Sequence, residues 1–173
     1  MVANSINRQQ NLITLNRGLR DGGQPEMALL SPAGAMVGYV VDCSDRYAVA
    51  MSVLNTSFRA SGKLDGEEYF GSIYWDGANQ YEVVMDELSK YADPQPGREV
   101  VSTGFSEYFP ADILIGWVEQ AELDETKTTY RVRVRLAAEI SSLSDVVLVG
   151  NTSLAETRRL RESERVKQQN ERE

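Results

Sequence analysis

The sequence predicts an all-β protein: two small six-stranded β-barrels in tandem, then a short charged C-terminal tail. Three observations predict it. First, short apolar and β-branched runs recur along the 173 residues, separated by Gly, Pro, Asn and Asp. Second, the run 128–136 alternates, with Tyr130, Val132, Val134 and Leu136 on one face and Arg131, Arg133 and Arg135 on the other. That is the period of a half-buried strand. Third, one pattern occurs twice. Ala35-Met36-Val37-Gly38-Tyr39-Val40 and Ile113-Leu114-Ile115-Gly116-Trp117-Val118 both read three apolar residues, Gly, an aromatic and Val. Each copy follows a strand and a turn, and each precedes an alternating strand that begins at a Tyr, Tyr47 or Tyr130. Such an echo suggests two related halves. Short strands with Gly-marked bends at this spacing suggest small closed barrels, with about six strands on either side of residue 61.

The elements follow in order. Residues 12–15 read as a short strand, and 16–18 and 21–23 as Gly-containing turns. A phosphate cradle would need a GxxxxGK[ST] pattern leading into a helix, which is missing, so these glycines read as turns. Strands are expected at 27–30 and 35–41, the second with Gly38 inside it as a bulge or bend. Residues 47–54 alternate, and 58–60 would add a sixth short strand. Ser61-Gly62-Lys63 reads as the joint between domains. The expected division is a first barrel over 1–60, with C-terminal strands as candidates to complete it, a second over 61–152, and a tail over 153–173. Strands resume at 68–75, and Asp76-Gly77 marks a hairpin turn. Residues 81–85 read as strand, although Val84, Leu88 and Tyr91 also share helical spacing. Residues 93–97 are a Pro/Gly loop, and 146–149 the last strand. The tail carries many charges of both signs and few apolar residues, so it reads as a frayed helix or a disordered segment. The three arginines of 128–136 read as solvated charges on an exposed sheet face rather than an anion site.

Composition excludes several functions. The net charge of −8 argues against a nucleic-acid binder and against adsorption to anionic lipid. No apolar run is long enough to span a bilayer. Histidine is absent and Cys43 is the only cysteine. Ser-His-Asp and Cys-His catalysis, the usual zinc ligand sets and an internal disulfide are therefore excluded. No metal or other cofactor is expected. Asp42, Asp45, Asp65 and Asp76 could supply carboxylates to a hydrolase, but none lies in a recognisable acid–base motif. The chain enters a strand almost at once, at Val2-Ala3-Asn4, the expectation being a chain trimmed at its N-terminus.

The stretch 100–116 departs from a generic β-protein. Phe105, Tyr108 and Phe109 fall within one loop closed by Pro110, between the strand at Val100 and Val101 and the one opening at Ile113. With Tyr74, Trp75 and Trp117, these aromatics exceed what two very small cores need. Aromatics set in an apolar groove are typical interface anchors; the competing reading places any one of them in a core. Tyr108 and Phe109 are the first candidates, because a polar, Pro-bounded loop would leave them partly exposed. Phe105, Tyr74 and Trp75 complete the expected partner-binding set.

The order of motifs resembles the MreC family of rod shape-determining proteins. Asn16-Arg17-Gly18-Leu19-Arg20-Asp21-Gly22 is similar to that family's N-K-G-S-x-D-G turn, and Gly34-Ala35-Met36-Val37-Gly38 to its G-x-V-G strand. Gly97-Arg98-Glu99-Val100-Val101-Ser102-Thr103-Gly104 resembles G-D-x-V-V-T-S-G. Phe109-Pro110-Ala111-Asp112-Ile113-Leu114-Ile115-Gly116 resembles F-P-x-G-I-x-I-G. Gly71-Ser72-Ile73-Tyr74-Trp75-Asp76-Gly77 looks most like Bacteroidetes members. The sequence departs at Arg98-Glu99, where G-D is usual, at the inverted Ser102-Thr103, and at Asp112 in place of Gly.

The resemblance covers 2–149 and implies two six-stranded barrels in the periplasm, arranged like a two-barrel protease but without catalytic residues. It implies a non-enzymatic scaffold of cell elongation that binds and activates the elongation-class penicillin-binding transpeptidase. MreD and RodZ are further implied partners, with MreB reached indirectly. It also implies self-association as a dimer or filament, and an inner-membrane anchor through an N-terminal helix that lies outside this sequence. The rival from the residues alone is a peptidoglycan- or carbohydrate-binding module.

Overall fold

The computed structural model describes residues 1–105, 108–150 and 152–170. These form β1 (Ala3–Asn4), β2 (Gln10–Leu15), β3 (Ala28–Leu30), β4 (Met36–Cys43), β5 (Ala48–Asn55), β6 (Ala60–Leu64), β7 (Phe70–Tyr74), β8 (Glu82–Ser89), β9 (Glu99–Ser102), β10 (Leu114–Leu123), β11 (Thr129–Leu136), β12 (Val147–Val149) and one helix, α1 (Thr152–Asn170). One six-stranded sheet runs β1-β2-β5-β4-β3-β12, and the other six strands close into a barrel in the order β10-β11-β8-β7-β6-β9. The fold is all-β apart from α1 and two single 3-10 turns.

The barrel closes because its strands alternate. Val132, Val134 and Leu136 of β11 point inward and are buried, and Arg131, Arg133 and Arg135 are exposed. Val83, Met85 and Leu88 of β8 fill the same core. The first sheet stays open: among the described residues, no pairing joins its edges. Those edges are short, β1 with two residues and β12 with three, and offer few backbone groups to bridge the gap. A cleft of about 450 Å³ occupies it, between Leu15, Met27 and Leu148.

The repeated pattern is structural. In both copies the strand carries one extra, unpaired residue just before its Gly (Val37 or Ile115) and bulges again after its Val. Leu30 pairs Met36 and Leu29 pairs Gly38; Val101 pairs Leu114 and Val100 pairs Gly116. Register then shifts after Val40 in β4 and after Val118 in β10. A Cβ at Gly38 would fall on the Met51 carbonyl oxygen, and one at Gly116 on that of Arg135. A buried serine anchors each turn: Ser31 Oγ accepts from the Ala35 N–H (3.1 Å), and Ser102 Oγ from the Ile113 N–H (2.9 Å). The two copies also meet, through an isolated parallel bridge between Ala35 and Leu114.

The halves differ at the turn. The first crosses with 32–34; the second inserts the loop 103–112. Elsewhere, Ser61-Gly62-Lys63 is not a joint but the middle of β6, where a Cβ on Gly62 would press within 2.9 Å of the Ile73 side chain. The chain crosses between sheets over 56–59 instead, with Phe58 buried there outside any strand. Residues 82–89 form a strand rather than a helix, with a bulge at Asp86 and Glu87 opposite Arg131. The tail runs as α1 over 152–170. Its Arg158 forks onto the Glu26 carboxylate, with the second contact at 2.7 Å. Residues 171–173 lie outside the described residues.

Candidate partner-binding surface

The loop 103–112 starts at Ser102, whose hydroxyl donates to the Pro110 carbonyl at 2.6 Å and so ties the loop's two ends together. From there its aromatics separate. Phe109 turns inward and is fully buried. Its ring meets Phe58 edge-on at 6.0 Å and Tyr39 at 6.2 Å. Tyr108 is half-buried and stacks on Tyr39 of the open sheet, with centroids 3.8 Å apart and planes 7° apart. The exposure expected of Phe109 is therefore corrected. The loop spans the seam between the two sheets, and large apolar rings are what fill such a seam. Burial, then the neighbouring Tyr108, raises the Tyr39 phenol above its ordinary pKa, so it stays neutral.

Trp75 also turns inward, 5% exposed, and its indole N–H donates to the Asn79 carbonyl at 2.9 Å. Tyr74 lies on the opposite face of its strand and is half-buried. Its hydroxyl donates to Asp86 (3.1 Å), and the Arg59 guanidinium sits 5.5 Å from its ring. Burial, then that hydrogen bond, raises its pKa. Phe105 is the exposed ring of the loop's three aromatics, at 74%. It packs edge-on at 5.4 Å against Phe70, itself 55% exposed.

Phe105 and Phe70 thus form an exposed aromatic pair on the outside of the closed barrel, and Tyr74 extends the strip along the same outer face of β7, beyond Ser72. An ion pair between Lys63 and Asp112 (3.8 Å) lies beside it, Lys63 being the cross-strand neighbour of Phe70. Two large exposed apolar rings in contact retain apolar surface that a partner could cover. Sequence reasoning missed Phe70, although alternation along β7 carried the signal. Gly71, Ile73 and Trp75 face in, so Phe70, Ser72 and Tyr74 face out.

Two of the acidic residues weighed for hydrolysis hold nearby backbone N–H groups, Asp42 near the end of β4 and Asp76 in the turn after β7. Asp42 accepts from the Cys43 N–H (2.8 Å) and Asp76 from the Ala78 N–H (3.0 Å). Among the described residues, no three His, Cys, Asp or Glu side chains gather as a metal site. Nor is any helix long and apolar enough to cross a membrane.

A closed barrel and a partner sheet, joined by a buried aromatic seam and with an exposed aromatic pair on the barrel's outer face, define an all-β structural domain. The family model described as "Rod shape-determining protein MreC, barrel core" matches residues 1–150, and the chain belongs to that family, one of shape-determining proteins rather than enzymes. A cell shape-determining protein MreC of Listeria monocytogenes is 26% identical over 148 residues, covering 84% of this chain and 50% of the relative. The chain thus spans about half the length of the curated relatives it matches. The fold matches a structure described as the major periplasmic domain from the cell shape-determining filament MreC. That match has a TM-score of 0.72 and 22% identity, over 87% of this chain and 94% of the other. It also matches a complex between Penicillin-Binding Protein (PBP2) and MreC from Helicobacter pylori, at a TM-score of 0.57 and 21% identity, over 72% and 78% of the two chains.

Proposed function

We propose that this chain is the periplasmic β-region of a scaffold for cell elongation, and that it binds the elongation-class penicillin-binding transpeptidase through the strip Phe105–Phe70–Tyr74. The observation that carries the reading is the pair Phe70 and Phe105, exposed yet in edge-on contact on the closed barrel. A pre-packed pair keeps little side-chain entropy to lose on binding, which favours it as an anchor. The Helicobacter pylori complex between PBP2 and MreC supports the partner class, and the MreC periplasmic domain supports the compartment.

Of the residues expected at the interface, Phe105 and Tyr74 would touch the partner. Tyr108, Phe109 and Trp75 would hold the face in place from behind. Binding would favour the active state of the transpeptidase only by engaging its two conformations unequally. Self-association, an inner-membrane anchor, and contacts with MreD, RodZ and, indirectly, MreB belong to the same proposal for the longer protein.

The test is a pull-down of the cognate transpeptidase's periplasmic region by the wild type and by a Phe70→Ser/Phe105→Ser variant, with circular dichroism confirming the fold. Capture by the wild type and loss in the folded variant is the expected result. Equal capture would remove the strip from the interface.

A further inference from the structure

Away from the aromatic strip, the β1–β2 loop and the β7–β8 hairpin face each other across an open cleft of about 550 Å³. One wall belongs to the open sheet and the other to the closed barrel. Four carboxamides, Asn7, Gln9, Asn79 and Gln80, border it with Arg8 and Tyr81. The volume falls within the roughly 300–1,000 Å³ of small-ligand sites.

Both walls are held from behind. Buried Asn11 accepts from the Arg8 N–H (3.0 Å) and donates to the carbonyls of Arg8 (2.7 Å) and Leu54 (2.6 Å). The Thr56 N–H donates to the Gln9 carbonyl at 2.9 Å. In the hairpin, Trp75 holds the Asn79 carbonyl, and the Tyr81 N–H donates to Asn79 Oδ1 at 2.9 Å. The walls approach closely at Gly77, where a Cβ would lie 2.5 Å from Gln9 Oε1. Yet among the described residues the side chains of Asn7, Arg8, Gln9 and Gln80 make no hydrogen bond of their own. The backbone is fixed, and these solvent-facing side chains present donors and acceptors that a ligand can take over from water.

Each carboxamide sets two donors beside an acceptor. Tyr81, 49% exposed, adds a ring with an apolar face and a polar tip. Among the described residues lining the cleft Arg8 is the one that is charged, with Asp76 between Trp75 and Gly77 in the hairpin sequence, in a chain of net charge −8. Sugar rings fit this chemistry, with hydroxyls at the rim and C–H bonds on the face. An N-acetyl group adds an amide that pairs with a carboxamide. We propose that the cleft binds an N-acetylated oligosaccharide, held between the two sheets.

The test titrates tetra-N-acetylchitotetraose into the full chain by NMR, with cellotetraose, which lacks the acetamido groups, as the comparison. Saturable shifts are expected around Gln9, Asn79 and Tyr81, with cellotetraose at least tenfold weaker. Gln9→Ala/Gln80→Ala and Tyr81→Ala, each checked for fold by circular dichroism, are expected to weaken binding at least tenfold. Phe70→Ser/Phe105→Ser is expected to bind the sugar as the wild type does, which separates this site from the aromatic strip. No saturable shift at millimolar sugar would overturn the proposal. So would undiminished binding by the cleft variants, loss of binding in the strip variant, or equal binding of cellotetraose.

Discussion

Phe109→Ala removes a fully buried ring from the seam between the sheets. Truncating a buried Phe costs about 3–5 kcal/mol. The two edge contacts, with centroids at 6.0 and 6.2 Å, lie in the outer part of the favourable range, so they add toward its low end. The expected loss is about 4 kcal/mol, a large share of the roughly 5–15 kcal/mol that holds a domain folded. At 2–4 °C per kcal/mol for a chain of this size, the midpoint should fall by about 8–16 °C. Phe105→Ala, in the same loop but exposed, should stay within about 0.5 kcal/mol of wild type. Urea and thermal denaturation followed by circular dichroism measure both. Phe58 and Phe109 touch, so a Phe58→Ala/Phe109→Ala cycle should show a coupling of at least about 0.5 kcal/mol. A loss below about 1 kcal/mol for Phe109→Ala, or equal effects at 105 and 109, would refute the inward placement of this ring.

Other substitutions probe the frame. Gly116→Ala should destabilise by about 2 kcal/mol or more in urea denaturation, because its Cβ falls on the Arg135 carbonyl oxygen and the ladder must part. Glu87 holds φ of 61° in the β8 bulge, so Glu87→Gly should leave stability unchanged or raise it by about 0.5–1 kcal/mol. Asp124 is held down to about 2 by hydrogen bonds from Thr126 and from the Thr129 and Thr128 backbone. Its folded pKa lies below the ordinary carboxylate value. The stability it lends is therefore complete above about pH 4 and lost as pH falls through about 2. An acid titration of Asp124→Asn should show a shallower slope in that window. Glu26→Gln breaks the charge pairing with Arg158, so proteolysis within α1 should quicken while the barrel midpoint holds.

Much of the fold was legible because strands write their period into the chain. The alternation of 128–136 gave β11 and its arginine face, and the repeated Gly-aromatic-Val pattern marked two strands that share bulges at matching positions. The interdomain crossing was misread for a local reason. Ser61-Gly62-Lys63 has linker composition, but Gly62 is there to admit Ile73, a contact made only once β6 and β7 pair. The site was partly legible. An aromatic loop was evident, yet which ring turns inward depends on Tyr39 and Phe58, far away in sequence. Phe70 could have been found from the alternation of its own strand. The amide cleft could not, because its walls come from two distant turns.

The central claim is tested most directly by placing a photoreactive phenylalanine analogue at position 105, with a second copy of the protein carrying it at exposed position 47, in the β4–β5 turn of the open sheet. Each would be irradiated with the cognate transpeptidase's periplasmic region. Crosslinking from 105 and none from 47 is the expected result. Crosslinking from 47 alone, or from neither position under conditions where the two proteins bind, would contradict a partner seated on the aromatic strip.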